Sequence, residues 1–457
     1  MLHRLLSVIL GQRKILRRQT VDELPVLVND TGGDFHVVGF GTEYRQLLLH
    51  GERSGDCSPG DERGGNDGQR SLHGYLGNET GWLGKYIGYS LRMRTALIAL
   101  FGAVLTLSGG AAHPAAEVPQ APGPAPCTDS ITACEAWLVL GKGPARTKVY
   151  TSYGLTARNP NIRRALVMVH GTNRNADRYF RTAMAAAFLA GRVNDTIVVA
   201  PRIIIASDKP EQDEVAWPSG GDSWRSGGMS TSHPELSSFD VTDELLRKFA
   251  DKRVFPNMTS IVVTGHSAGG QYANRYAMTN KVHDTLGVPV SYVVANPSSY
   301  AWPDAQRTLP VDDAEPAAAK EGWSLTPETT AHTKFSYGPY DAAAMKCPNF
   351  NRWPAGLENR TGYTAGMTDD QLKKQLVSRP TTFLVGQVDT LPLGGFDSSC
   401  GAMAQGPTRR ARGEAFVKFV NDKLGAKHAI QVVSECGHND RCIFTTDAVL
   451  AVIFPKN

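Results

Sequence analysis

The run Ile261–Thr264 (IVVT) is short and β-branched, and it leads without a spacer into Gly265-His266-Ser267-Ala268-Gly269. Residues compatible with a helix, Ser267–Met278, follow at once. A strand, a tight turn with glycine at both ends and a helix together predict a sharp elbow that lifts the Ser267 hydroxyl above the end of a sheet. The glycines are needed because a side chain at either place would meet the neighbouring strand or helix. G-x-S-x-G alone is common by chance. The strand before it and the helix after it are what separate it from an ordinary turn with a capping serine.

An elbow of this kind needs a central strand with helices packed on it, and the rest of the chain has that rhythm. Lys148–Tyr153 and the apolar runs Ala165–Val169, Thr196–Ala200, Val290–Ala295, Thr381–Val385 and Ala429–Val433 read as strands. Such runs lack polar alternation, as expected of strands buried on both faces. Between them Asp177–Ala190, Asp240–Ala250 and Arg409–Leu424 read as helices, with Ser237 or Ser238 capping the second. The expected class is α/β, with a mostly parallel central sheet and helices on both faces. About 80 residues, roughly 298–379, break the rhythm; a loop of that size is improbable in a compact domain, so it reads as an inserted lid-like segment.

The N-terminal part reads differently. From Met93 the sequence is MRTALIALFGAVLTLSGGAAHPAAE: a short basic start, an apolar run Ala96–Leu107, then small residues through Ala112. This is the pattern of a secretory signal, followed by a Pro/Ala-rich linker over 113–126. Residues 1–92 lie ahead of it, and Gly51–Gly68 has turn formers and charges but no apolar periodicity. One expectation is that translation starts at Met93 and the signal is cleaved. The other is an uncleaved anchor, with Arg92 and Arg94 on the cytoplasmic side. Either puts residues 127–457, the expected catalytic domain, outside the cytoplasm: secreted, periplasmic or membrane-anchored, with membrane contact only through 93–112. Cys57 lies in the extension; Cys127, Cys134, Cys347, Cys400, Cys436 and Cys442 are an even six, which suits disulfides in an oxidising compartment. The near balance of 48 basic and 44 acidic residues gives nucleic-acid binding little support.

A serine nucleophile needs a base, and His438 stands just past the strand Ala429–Val433. The base needs a carboxylate to fix its tautomer, and Asp389 stands just past Thr381–Val385, with Asp397 and Asp440 as rivals. The order Ser267, Asp389, His438 is the one used on α/β sheets with an elbow serine. An oxyanion would be held by the Ala268 N–H and by the Thr172 N–H of the turn His170-Gly171-Thr172, with Asn173 assisting. His266 is expected to pack. Trp217 and Trp224, in a Gly-rich loop at the C-terminal end of the sheet, are expected either to line a substrate pocket or to anchor that loop.

Together, the turn after an early strand, GHSAGG at the elbow, the Asp and the late GH resemble the α/β-hydrolase superfamily over about Ala136–Phe454. The HGT-type turn, the signal and the cysteines resemble secreted esterases, including polyester-depolymerase-like hydrolases; the HGGG turn of the hormone-sensitive-lipase group is missing. The resemblance implies a secreted serine hydrolase for small or polymeric carboxylic esters, acting without a metal or organic cofactor. It leaves a peptidase, a thioesterase or a catalytically silent binding protein as alternatives. The Cys436/Cys442 pair reads as a staple for the His438 loop.

Overall fold

The computed structural model describes residues 26–29, 35–38, 124–310 and 335–455. The expected signal segment 93–112, most of the expected linker 113–126, Gly51–Gly68, Cys57 and residues 311–334 lie outside the described residues. The chain divides into two compact units, Met1–Gln120 and Ala121–Asn457. The first contains an antiparallel pair, Val26–Asn29 with Phe35–Val38.

The second unit is built on eight strands: β1 (Glu135–Val139), β2 (Arg146–Thr151), β3 (Arg164–Val169), β4 (Thr196–Pro201), β5 (Ser260–His266), β6 (Val290–Ala295), β7 (Thr381–Gly386) and β8 (Ala429–Val433). Their order in the sheet is β1-β2-β4-β3-β5-β6-β7-β8. Only β1–β2 and β2–β4 are antiparallel. The other neighbours are parallel, with Ala165 of β3 opposite Ile261 of β5 and Val290 of β6 also opposite Ile261. This order and polarity are those of the α/β-hydrolase fold. The chain leaves β3 for β4 on one side and β5 for β6 on the other. That reversal opens a crevice at the C-terminal ends of β3 and β5, where sheets of this kind bind ligands.

Strand alternation sorts the core. Ala165, Val167 and Val169 of β3 face one cluster, with Phe239, Leu245, Tyr272 and Tyr276 of α2 (Ser238–Ala250) and α3 (Ala268–Thr279). Leu166 and Met168 face the opposite cluster, with Phe180 and Ala183 of α1 (Ala176–Leu189) and Ile443 and Leu450 near the C-terminus. Each large side chain buried this way contributes roughly 1.5–3 kcal/mol over leaving it exposed. Ser237 caps α2: its hydroxyl accepts from the Phe239 N–H, and the Asp240 carboxylate accepts from the Ser237 N–H at 2.7 Å.

The described part of 298–379 holds an antiparallel pair, Gln306–Pro310 with Phe335–Pro339, and α4 (Asp369–Ser378). Its Trp302, Trp353, Leu372 and Leu376 pack with Phe383 of β7 and with Phe416 and Phe419 of α5 (Arg409–Leu424) in a third cluster. Disulfides join Cys127–Cys134, Cys347–Cys400 and Cys436–Cys442. Among the described residues, no helix is long and apolar enough to cross a membrane.

Candidate active site

β5 ends at His266 and α3 begins at Ala268, so Ser267 alone makes the reversal, at φ 60° and ψ −120°. The space around it is too small for side chains at the flanking glycines. A Cβ on Gly265 would come within 2.4 Å of the Gly269 carbonyl oxygen, and one on Gly269 within 2.2 Å of the Val169 carbonyl oxygen. The Ser267 N–H donates to Ala295 O at 3.0 Å, which ties the elbow to the end of β6.

The structure brings Ser267, His438 and Asp389 together. His438 Nε2 is 2.8 Å from Ser267 Oγ, and His438 Nδ1 is 2.8 Å from Asp389 Oδ2. An ionised carboxylate can only accept, so the Asp389 contact assigns the proton to Nδ1 and leaves Nε2 to accept from the serine hydroxyl. Asp389 is buried, and burial alone would raise its carboxyl; His438 and Arg409 outweigh that and hold it below the ordinary carboxylate value. The rival carboxylates are engaged elsewhere. Asp397 accepts from Ser299 Oγ and the Ser399 N–H, and Asp440 from Arg178 and Thr182.

The turn after β3 lies against Ser267: a Cβ on Gly171 would be 3.7 Å from Ser267 Cβ. His170 fixes this turn from below. Its Nε2 accepts from the Ile203 N–H at 3.1 Å, and its Nδ1 faces Gly171 O at 3.0 Å. Burial pushes its imidazole down to about 4, so it is neutral at physiological pH. Arg174 closes the turn, donating to Thr172 O at 2.7 Å while paired with Asp208. Among the described residues, neither the Thr172 nor the Ala268 N–H has a hydrogen-bond acceptor. The Ala268 N–H also stands at the positive end of α3, where negative charge is favoured. Asn173 is exposed beside them.

Trp217 and Trp224 form no pocket wall. They are 1% and 2% exposed and belong to the core beneath the crevice, Trp224 packing 4.9 Å from the His170 ring. The pocket expectation is therefore corrected to the anchoring one, because an indole without accessible surface cannot meet a ligand. His266 packs, but directly on His438: its ring is 4.5 Å from that of His438, and its Nδ1 is 3.1 Å from the Tyr179 hydroxyl. Among the described residues, no cluster of His, Cys, Asp and Glu could hold a metal.

Two features escaped the sequence. One is the Arg174–Asp208 pair, which joins residues of separate loops and has no local signal. The other is Arg409, whose Nη1 lies 3.2 Å from Asp389 Oδ1. It did carry a signal: Arg409, Arg410 and Arg412 crowd the first turn of α5, where basic residues oppose the helix dipole.

No protein-family model and no curated protein matches the chain. Among solved structures, it is similar to a poly(3-hydroxybutyrate) depolymerase from Bordetella parapertussis, at 21% identity and a TM-score of 0.44, over 68% of this chain and 89% of that one. It is similar to poly(aspartic acid) hydrolase-1 from Sphingomonas sp. KT-1, at 20% and 0.45, over 70% of this chain and 98% of that one. It is also similar to an esterase from Pyrobaculum calidifontis, at 16% and 0.35, over 70% of this chain and 83% of that one. Likenesses at this level assign neither substrate nor mechanism to the chain.

Proposed function

We propose that this chain is a serine hydrolase that cleaves carboxylic esters through an acyl-enzyme intermediate, and that it works outside the cytoplasm. The observation that carries the reading is the relay from Ser267 Oγ through His438 to Asp389, 2.8 Å at each step. Ser267 Oγ attacks the acyl carbon as His438 Nε2 takes its proton. The Asp389 carboxylate stabilises the imidazolium so formed. The Ala268 and Thr172 N–H groups hold the oxyanion. His438 then protonates the departing alcohol, and in the second half activates water to release the acid. Because His266 beside it is kept neutral by burial, it does not oppose the charge that develops on His438.

The loop after Asp389 supports an ester with an apolar part, small or polymeric. Its Leu391 and Leu393, with Val388, are exposed, and its Gly394 and Gly395 lie against His438 and Thr172. The three disulfides support an oxidising compartment.

The test is Ser267→Ala in the full chain, assayed on p-nitrophenyl esters, amides and polyester films. Ester turnover should fall roughly 10⁴-fold or more while the protein stays folded. Turnover that survives in folded Ser267→Ala, or a wild type that cleaves amides and no esters, would overturn the reading.

A further inference from the structure

Arg409 is a large cation buried without solvent contact, on the wrong end of a helix. Both placements are unfavourable by themselves. What compensates them is the catalytic apparatus. Arg409 Nη1 donates to Asp389 Oδ1 at 3.2 Å, while the other oxygen of that carboxylate serves His438. Nε donates to Ser298 Oγ at 2.7 Å. Nη2 donates to the carbonyls of Leu393 and Gly394 at 2.6 and 3.0 Å. Four of the five N–H bonds of the fork are thereby used.

The two carbonyls belong to the loop that flanks the site. A Cβ on Gly394 would be 3.0 Å from His438 Cδ2, and one on Gly395 3.0 Å from Thr172 Cγ2. One turn on along α5, Arg412 grips the same loop through Asp397 O, and the Phe396 ring lies 5.2 Å from the Arg409 guanidinium and 4.3 Å from that of Arg412.

We propose that Arg409 is a positioning residue for the reaction: its single guanidinium sets the Asp389 carboxylate and the 393–395 loop as one rigid piece, and so aligns the His438 base with the oxyanion turn. The proposal rests on the serine-hydrolase reading above. It requires the fork rather than the charge. A lysine could neutralise Asp389, but a point charge cannot reach Ser298 Oγ and two carbonyls at once.

The test compares Arg409→Lys and Arg409→Ala with wild type, in the full chain, on p-nitrophenyl butyrate. Folded fraction is followed by thermal unfolding, and Ser267 reactivity by fluorophosphonate labelling. Arg409→Lys should fold and lose about 100-fold in kcat, with KM within about threefold, as expected for a misplaced catalytic group. Labelling of Ser267 should slow in parallel. Millimolar guanidinium should restore part of the kcat of Arg409→Ala, while equal sodium chloride should not. Wild-type kcat in Arg409→Lys overturns the proposal, as does a loss that only follows the unfolded fraction and ignores guanidinium. If Ser267→Ala itself remains active, the serine reading fails; if Ser267→Ala is dead while Arg409→Lys is normal, only the role of Arg409 fails.

Discussion

Ser267 has φ 60° and ψ −120°, a conformation that a residue with a side chain keeps only under constraint. The constraint is backbone: Ala295 O accepts from Ser267 N, Ser267 O accepts from Gln271 N, and the Val169 and His170 carbonyls leave no room for a Cβ on Gly269. The clash at Gly269 is with main chain, which cannot rotate away. Gly269→Ala should therefore drive β3 and α3 apart at the point where the His170–Thr172 turn meets Ser267. We expect overpacking of about 1–3 kcal/mol by urea unfolding and a fall of about 100-fold in kcat. Gly143, which has open space where a Cβ would be, is the control, and Gly143→Ala should change neither quantity. Gly269→Ala with kcat within threefold of wild type would show that the elbow has slack. The glycines were legible in the sequence because the motif fixes their spacing. The conformation of His170, sealed beneath the turn, was not, because its partner Ile203 N–H comes from beyond β4.

At the scale of elements, the proposed triad is three loop ends held in register by different means. Ser267 is held by its own elbow, and Asp389 by Arg409. His438 rides on the link after β8, where Cys436 and Cys442 close a short ring around it. The same link is tied by Val388 N–H to Cys436 O at 3.0 Å and by Asn296 Nδ2 to Gly437 O at 3.1 Å. Cys436→Ala with Cys442→Ala should cost about 2 kcal/mol by the loop-entropy relation for so short a ring. The remaining ties should limit the loss in kcat to about tenfold. Dithiothreitol should lower the unfolding midpoint of wild type but leave this double variant's loss of kcat unchanged; a double variant with full kcat would make the staple purely a matter of stability. The strands that lead to Ser267, Asp389 and His438 were legible because β5, β7 and β8 are short β-branched or apolar runs, and each of the three residues follows a strand end; β8, expected to be buried on both faces, is instead an edge strand with only Val433 buried. Several elements were not legible, β1 and α4 among them. β1 (EAWLV) is an edge strand with one fully buried side chain, and α4 (DDQLKKQLVS) buries only Leu372 and Leu376. Neither carries enough periodic apolar signal to stand out. Trp217 and Trp224 were ambiguous for the opposite reason, since an indole suits a core and a pocket equally.

At the scale of the whole molecule, the crevice is underpinned by neutral imidazoles. His170 spans β3 and the chain after β4. His266 spans Tyr179 of α1, Asn296 after β6 and the His438 ring. Burial holds both below the ordinary histidine value, His170 at about 4. The unfolded chain therefore binds protons at these sites first, near pH 6.5, and stability falls as pH drops from there toward 4. For His170 alone the loss across that window is roughly 3 kcal/mol. Asp389 has its carboxyl lowered, so its own contribution is present above the ordinary carboxylate value and is lost only further into acid. Asp240 and Asp243, raised by burial, act with the opposite sign, because their native forms bind protons more readily than the unfolded chain. His283 and His428, also lowered by burial, add to the loss. The wild-type slope is thus a sum, but the difference between wild type and His170→Gln cancels everything except the one imidazole. Urea unfolding at pH 7 and pH 4.5 should find the variant less stable at pH 7, because the Ile203 N–H loses a well-placed acceptor. The gap should narrow or close at pH 4.5, where wild type carries the cost of keeping His170 neutral. A gap of the same size at both pH values would mean that His170 does not titrate with folding, and that the seal beneath the His170–Thr172 turn is indifferent to acid.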